Sequence, residues 1–209
     1  MSGVIDMNEF TIISDKKYLK VDVQGYYHTH YTGYKNIGNP DYLNDLKNTF
    51  NSFSNENIGK LDRAIEEFHS VLRTDLSQFP KELTICVVPR SKSENTYEHN
   101  QLLFKEVIKD IIGELGFQDG SNYIVRHTNT KTTHLAHSPR GAQYAGDGSM
   151  PYLGITKDTC SISDAVNGKS ILLIDDIYTN GVNIDEDAIQ ALFDNGANSI
   201  IFYAVGKTV

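Results

Sequence analysis

Ser170 to Asn183 reads SILLIDDIYTNGVN. Ile171 to Ile174 are four apolar residues in a row, without alternation. That is the pattern of a strand covered on both faces, as in a parallel sheet. Asp175 and Asp176 follow at once, where such a strand would leave the core. Thr179, Asn180, Gly181, Val182 and Asn183 then make a short polar turn whose one glycine can take a positive φ or admit a ligand against bare backbone. From Ile184 to Asn195 the spacing of Ile184, Ala188, Ile189 and Leu192 predicts a helix, and Gly196 is its C′ stop. The unit is strand, acidic tip, polar loop, helix. In open α/β sheets ligands bind at the carboxyl ends of strands, and a loop leading into a helix offers N–H groups to a phosphate.

Two other readings compete. Gly168-Lys169-Ser170 looks like half of a P-loop, but that loop needs a glycine five residues earlier and a helix afterwards. Position 163 is Ser163, and Lys169-Ser170 runs straight into the strand, so an ATPase reading fails. The second is a plain core strand ended by solvated acids. The ordered combination of acids, turn and helix argues against it.

The stretch resembles the phosphoribosyl pyrophosphate (PRPP) motif of type I phosphoribosyltransferases: hydrophobic residues, two acids, two variable positions, then T-T-G-x-T. Asp175, Asp176, Thr179 and Gly181 fit, while Asn180 and Asn183 stand where Thr or Ser is usual. The resemblance implies that the carboxylates hold the ribose hydroxyls and that Thr179 to Asn183 wrap the 5′-phosphate. Asn can still donate through its amide, although it is bulkier than a hydroxyl.

The chain has 209 residues, enough for one full α/β domain with a small accessory segment. A hydrophobic content of 39% with 10% aromatics fits a soluble globular protein. The net charge of −8 argues against broad nonspecific nucleic-acid binding, which needs a basic surface. No run of 18 apolar residues and no signal-peptide core is present, so a cytoplasmic protein without membrane contact is expected. The two cysteines, Cys86 and Cys160, exclude a multi-cysteine zinc site.

Upstream, Phe10 to Ile13 and Tyr18 to Val23 predict a hairpin. His28 and His30, two apart, would share one side of a strand. With no third ligand to place, hydrogen-bonded or solvated histidines are the simpler reading. The surrounding tyrosines read as packing rather than as a base pocket. Ile58, Leu61, Ile65, Phe68 and Leu72 fall on one helical face. Leu83 to Val88 is an apolar strand ending in Pro89, Arg90, Ser91 and Lys92, and a helix is expected from Asn100 to Leu115, stopped by Gly116. Tyr123 to Val125 would be the next strand. Strand alternating with helix is the signature of a doubly wound sheet.

The resemblance extends to ComF-like phosphoribosyltransferases, in which a strand ends in a P-V-P-like loop before an F-N-Q-type helix start. Here Val88-Pro89-Arg90-Ser91-Lys92 precedes Asn100-Gln101. It implies that this loop carries the pyrophosphate, with Arg90 and Lys92 supplying positive charge. Arg126 and Thr128 match an R-x-T-x-x-Q stretch, with Lys131 at the Gln position. Arg126 to Tyr152 has the composition of a functional loop. Lys131, His134, His137 and Arg140 make it cationic, and a lid over a leaving pyrophosphate would use them to stabilise negative charge and exclude water.

The fold implied is a three-layer α/β, parallel-sheet phosphoribosyltransferase-type domain over residues 81–209, with an N-terminal α+β cap over residues 1–80. The activity implied is transfer of a phosphoribosyl group from PRPP to a nitrogen nucleophile. Asp175 and Asp176 would orient the ribose, and Mg²⁺ would be bound mainly through PRPP oxygens rather than by a protein metal site. The alternative is a non-catalytic PRPP- or nucleotide-binding module in a DNA-uptake, mobile-element or defence complex, contexts in which ComF-like domains occur. A homodimer or a complex partner is left open, and so is the acceptor.

Overall fold

The structure is a computed structural model and describes residues 7–33, 36–47, 55–132 and 154–209. Strands β1 (Asn8–Ile12), β2 (Val23–Tyr31), β3 (Thr84–Val87), β4 (Gln118–Asp119), β7 (Ser170–Tyr178) and β8 (Ser199–Thr208) form one sheet. Strands β5 (Ile124–Arg126) and β6 (Cys160–Ile162) form a separate antiparallel pair. The main sheet runs in the order β1-β2-β8-β7-β3-β4, parallel throughout except for β1 on β2. Helices α1 (Tyr42–Lys47), α2 (Asn55–Leu76), α3 (Leu103–Leu115) and α4 (Ile184–Asp194) cover it on two sides.

β7 is the inner strand that its unbroken apolar run predicts. Leu172 and Ile174 point into the layer of α1, α2 and α3, and Ile171 and Leu173 into the layer of α4 and the β5–β6 pair. All four are fully buried. Burying each such side chain contributes about 1.5–3 kcal/mol, so β7 is anchored in both layers. Phe68 of α2 is also fully buried and stacks on Phe104 of α3 at 4.8 Å between ring centres.

Several elements differ from the sequence reading. β2 begins at Val23, where the expected hairpin arm was to end, and runs on through the Tyr/His-rich stretch. It pairs in parallel with β8, Tyr26 opposite Tyr203, so residues 23–31 extend the main sheet and α2 forms part of its helical layer. The stretch expected as a cap shares the β2–β8 ladder and both core layers with residues 81–209. The helix expected from Asn100 starts at Leu103, after a 3-10 turn over His99–Gln101. The strand following α3 is β4, two residues long, while Ile124–Arg126 leaves the main sheet to pair with β6. Gly116 and Gly196 end α3 and α4 with φ of 76° and 89°, as their positions predict. Among the described residues no helix is long and apolar enough to cross a membrane.

Candidate functional site

The connections from β3 and β7 leave the sheet on opposite sides. β3 leads to α3 in one layer and β7 to α4 in the other. A crevice opens where neighbouring crossovers diverge in this way, outside the carboxyl ends of the strands. The β3–β7 ladder closes at Val87 opposite Ile174, with a last bond from Val88 N to Ile174 O at 2.9 Å. β7 continues alone beside β8 as far as Tyr178 opposite Lys207. Asp175 and Asp176 therefore lie inside β7, rather than past its end, but beyond the end of its β3 partner.

Strand geometry would send successive side chains to opposite faces. That alternation breaks here. Ile174 and Ile177, three residues apart, both pack into the α1–α3 layer, and Tyr178 packs into the other. The backbone changes phase across the two aspartates. Asp175 Oδ1 accepts from Asp176 N at 2.7 Å, and Asp176 Oδ1 accepts from Ile177 N at 2.8 Å. Each carboxylate thus caps the next N–H of the bend. Asp175 is half-buried and Asp176 is 5% exposed.

The turn after β7 has two left-handed residues, Gly181 at φ 80° and Asn183 at φ 63°. Asn is one of the few non-glycine residues that tolerates this region. Val182 N donates to Thr179 O at 3.2 Å and Asn183 Nδ2 folds back to Gly181 O at 3.2 Å, so Asn183 does not cap α4 with its side chain. Asn180 and Gly181 are exposed. Thr179 Oγ1 is buried and has no hydrogen-bond partner among the described residues.

The first turn of α4 carries three buried acids, Asp185, Glu186 and Asp187. Negative charge is favoured at a helix N-terminus. Tyr178 Oη donates to Glu186 Oε1 at 2.8 Å, and Ile155 N donates to Asp187 Oδ2 at 2.9 Å. Burial raises the pKa of both Glu186 and Asp187, while these hydrogen bonds work against the rise. None of the three stands out in the sequence, because acids in a first helical turn have the pattern of ordinary solvated residues.

On the opposite rim the loop from Pro89 to Lys92 is tied down by its own cations. Arg90 lies over the Tyr97 ring, 4.4 Å from its centre, and donates to the Gln101 carbonyl. Burial lowers its pKa from the ordinary guanidinium value. Arg126 is 2% exposed, and its Nε and Nη1 donate to Arg90 O at 2.6 Å and Gly154 O at 2.9 Å. Lys92 Nζ donates to Thr130 O at 3.3 Å. Thr130 N donates to Ser91 O at 2.8 Å, and Ser91 Oγ lies 3.2 Å from Thr132 Oγ1. The residues expected to face pyrophosphate thus join the loop to residues 126–132. Pro89, with Val88, Arg90, Tyr97 and Phe104, also lines a mainly apolar hollow that neither Asp175 nor Asp176 reaches.

Lys131 is half-buried beside this junction. His134, His137 and Arg140 lie outside the described residues. His28 and His30 diverge instead of sharing a side. His28 Nδ1 meets Asp75 Oδ2 of α2 at 3.0 Å, while His30 stacks on Tyr27. Asp75 also accepts from Tyr203 Oη at 2.7 Å. Among the described residues no group of three His, Cys, Asp or Glu side chains is gathered to hold a metal ion. Asp175 and Asp176 are hard oxygen donors of the kind that suits Mg²⁺ when a substrate supplies further oxygens.

No protein-family model matches the chain, and no curated protein matches it.

Proposed function

We propose that the protein binds PRPP at the carboxyl ends of β3 and β7 and transfers its phosphoribosyl group to a nitrogen nucleophile. The observation that carries this reading is the coincidence of a two-acid-and-turn sequence with the divergence of the β3 and β7 crossovers. The ribose hydroxyls would donate to Asp175 and Asp176, and the 5′-phosphate would accept from the backbone of the exposed residues Asn180 and Gly181. In the transfer a nitrogen lone pair attacks the ribose C1. The bond from C1 to the pyrophosphate oxygen breaks, pyrophosphate leaves with the electron pair, and the nitrogen loses its proton. Positive charge on the ribose in the transition state is favoured by the two carboxylates. Mg²⁺ would supply neutralisation of the pyrophosphate when bound, held mainly through PRPP oxygens, with Asp175 and Asp176 as further hard oxygen donors.

Calorimetry of the folded protein with PRPP and Mg²⁺ tests binding. The expected result is saturable heat at one site, and none would overturn the proposal. Pyrophosphate release with a panel of purine and pyrimidine bases tests transfer.

A second reading has its own support. Arg90, Lys92 and Arg126 bond protein carbonyls, and three carboxylates occupy the start of α4. Cations engaged in this way are less available to a leaving pyrophosphate, as in a module that holds a ligand without turnover. PRPP binding without pyrophosphate release from any base selects this second reading.

A further inference from the structure

One peptide unit, the Gly154 carbonyl with the Ile155 N–H, lies between two buried side chains of opposite charge. Arg126 Nη1 donates to its oxygen at 2.9 Å, and its N–H donates to Asp187 Oδ2 at 2.9 Å. The peptide dipole is aligned with both charges, oxygen toward the guanidinium and hydrogen toward the carboxylate. Thr159 Oγ1 donates to the same oxygen, and Cys160 Sγ reaches it at 3.6 Å. The other arm of Arg126, Nε, holds Arg90 O at 2.6 Å. Asp187 lies in the first turn of α4, four residues after Asn183. A hydrogen-bonded path thus runs from the Pro89–Lys92 loop through Arg126, one peptide and Asp187 to the helix that follows the Thr179–Asn183 turn.

The two elements so joined are the opposite rims of the crevice, and they lie beyond the point where the β3–β7 ladder stops. Backbone pairing no longer sets their spacing. Two buried charges are a costly way to fill a core, and an apolar pair of similar volume is often neutral or better for stability. What the charges supply here is direction, since a fork and a carboxylate orient the peptide between them in a way that apolar side chains do not.

We propose that Arg126 and Asp187 are a positioning pair that fixes the spacing of the two rims through the Gly154–Ile155 peptide, and thereby the ligand affinity of the crevice. The statement about affinity rests on the PRPP reading above; the mechanical coupling does not.

Amide hydrogen exchange by NMR on the unliganded protein tests the coupling. In Asp187→Ala the Ile155 amide should exchange at least about tenfold faster. So should the Thr130 amide, which bonds Ser91 O in the far rim and does not touch Asp187. Arg126→Met should accelerate Ile155, whose own bond to Asp187 is left in place. The β7 amides of Leu172 and Leu173 report that the fold is intact. If Asp187→Ala does not fold, Arg126→Met carries the measurement alone, read at the Ile155 amide against Leu172 and Leu173. Acceleration confined to the residue that lost its partner would overturn the pair.

Titration with PRPP and Mg²⁺ then tests the consequence. Each single variant should weaken binding about tenfold, and the double variant by about the same factor, because both break one path. A hundredfold, additive loss would show two independent effects and overturn the positioning role. If the native protein binds no PRPP, the ligand assignment fails, and the exchange measurement still decides the coupling.

Discussion

Asp176→Asn separates a ligand-binding carboxylate from a structural one, because the two roles move affinity and stability in opposite ways. Asp176 is 5% exposed, and its Oδ1 accepts from Ile177 N at 2.8 Å. Asparagine keeps an acceptor in that position and the same shape, so the bend between Ile174 and Ile177 retains its cap. The substitution also removes a buried charge, whose desolvation opposes folding. Stability should therefore hold within about 1 kcal/mol, which for a chain of this size is about 2–4 °C in Tm. The ribose contact behaves differently. A hydroxyl that donates to a carboxylate makes a charge-assisted bond of about 1.5–3 kcal/mol, and loss of the charge should weaken PRPP about ten- to a hundredfold. The assay is calorimetric titration with PRPP and Mg²⁺, paired with thermal unfolding of the same preparation. Unchanged affinity together with a Tm lowered by more than about 5 °C would refute the reasoning and assign Asp176 to the fold.

Three further outcomes are expected. His28 has its pKa raised, first by its hydrogen bond to Asp75 and then, against opposing desolvation, by the charge of that carboxylate. A raised folded-state pKa contributes stability that is complete below the ordinary value of 6.5 and is lost as pH rises through the folded value. Urea midpoints should thus fall from pH 5.5 to pH 8 by more in the native protein than in His28→Gln, and equal falls would exclude the linkage. Glu186 is buried with a raised pKa, so its folded form resists ionisation, and its contribution declines as pH rises from the carboxylate range. Glu186→Gln keeps an acceptor for Tyr178 Oη and should raise Tm by about 2–4 °C at pH 7.5 while changing little at pH 4, a difference that differential scanning calorimetry resolves. Gly181→Ala adds a methyl to open space at φ 80°, so strain alone acts. It should cost about 1–2 kcal/mol, read as the change in denaturant midpoint at constant m-value.

Much of the β7 region was legible in the sequence. Ile171 to Ile174 form an inner strand because an unbroken apolar run has no wet face to offer. The helix ends at Gly116 and Gly196 were legible because a C′ residue with positive φ selects glycine. The parallel alternation breaks in one place. Tyr123 to Val125 has the residues of a strand, but those residues do not tell which partner it takes; the two-residue β4 holds the edge of the sheet and Ile124–Arg126 pairs with β6.

The local pattern of apolar runs, glycines and acids determined that a buried strand, two acids, a polar turn and a helix follow one another, because each depends on residues a few positions apart. Which groups share an environment was decided by the tertiary structure. Arg90 and Arg126 look in the sequence like cations presented to a ligand, yet packing against Tyr97, Gln101 and Gly154 buries them and directs their donors to backbone carbonyls. Asp187 looks like a solvated helix acid until Ile155, 32 residues earlier, brings its amide to it. His28 and His30 share a side in an ideal strand, and the observed β2 sends one to Asp75 and the other to Tyr27. Desolvation and hydrogen-bond partners are properties of the three-dimensional neighbourhood, and residues that meet across such separations leave no periodicity in the chain from which they could be read.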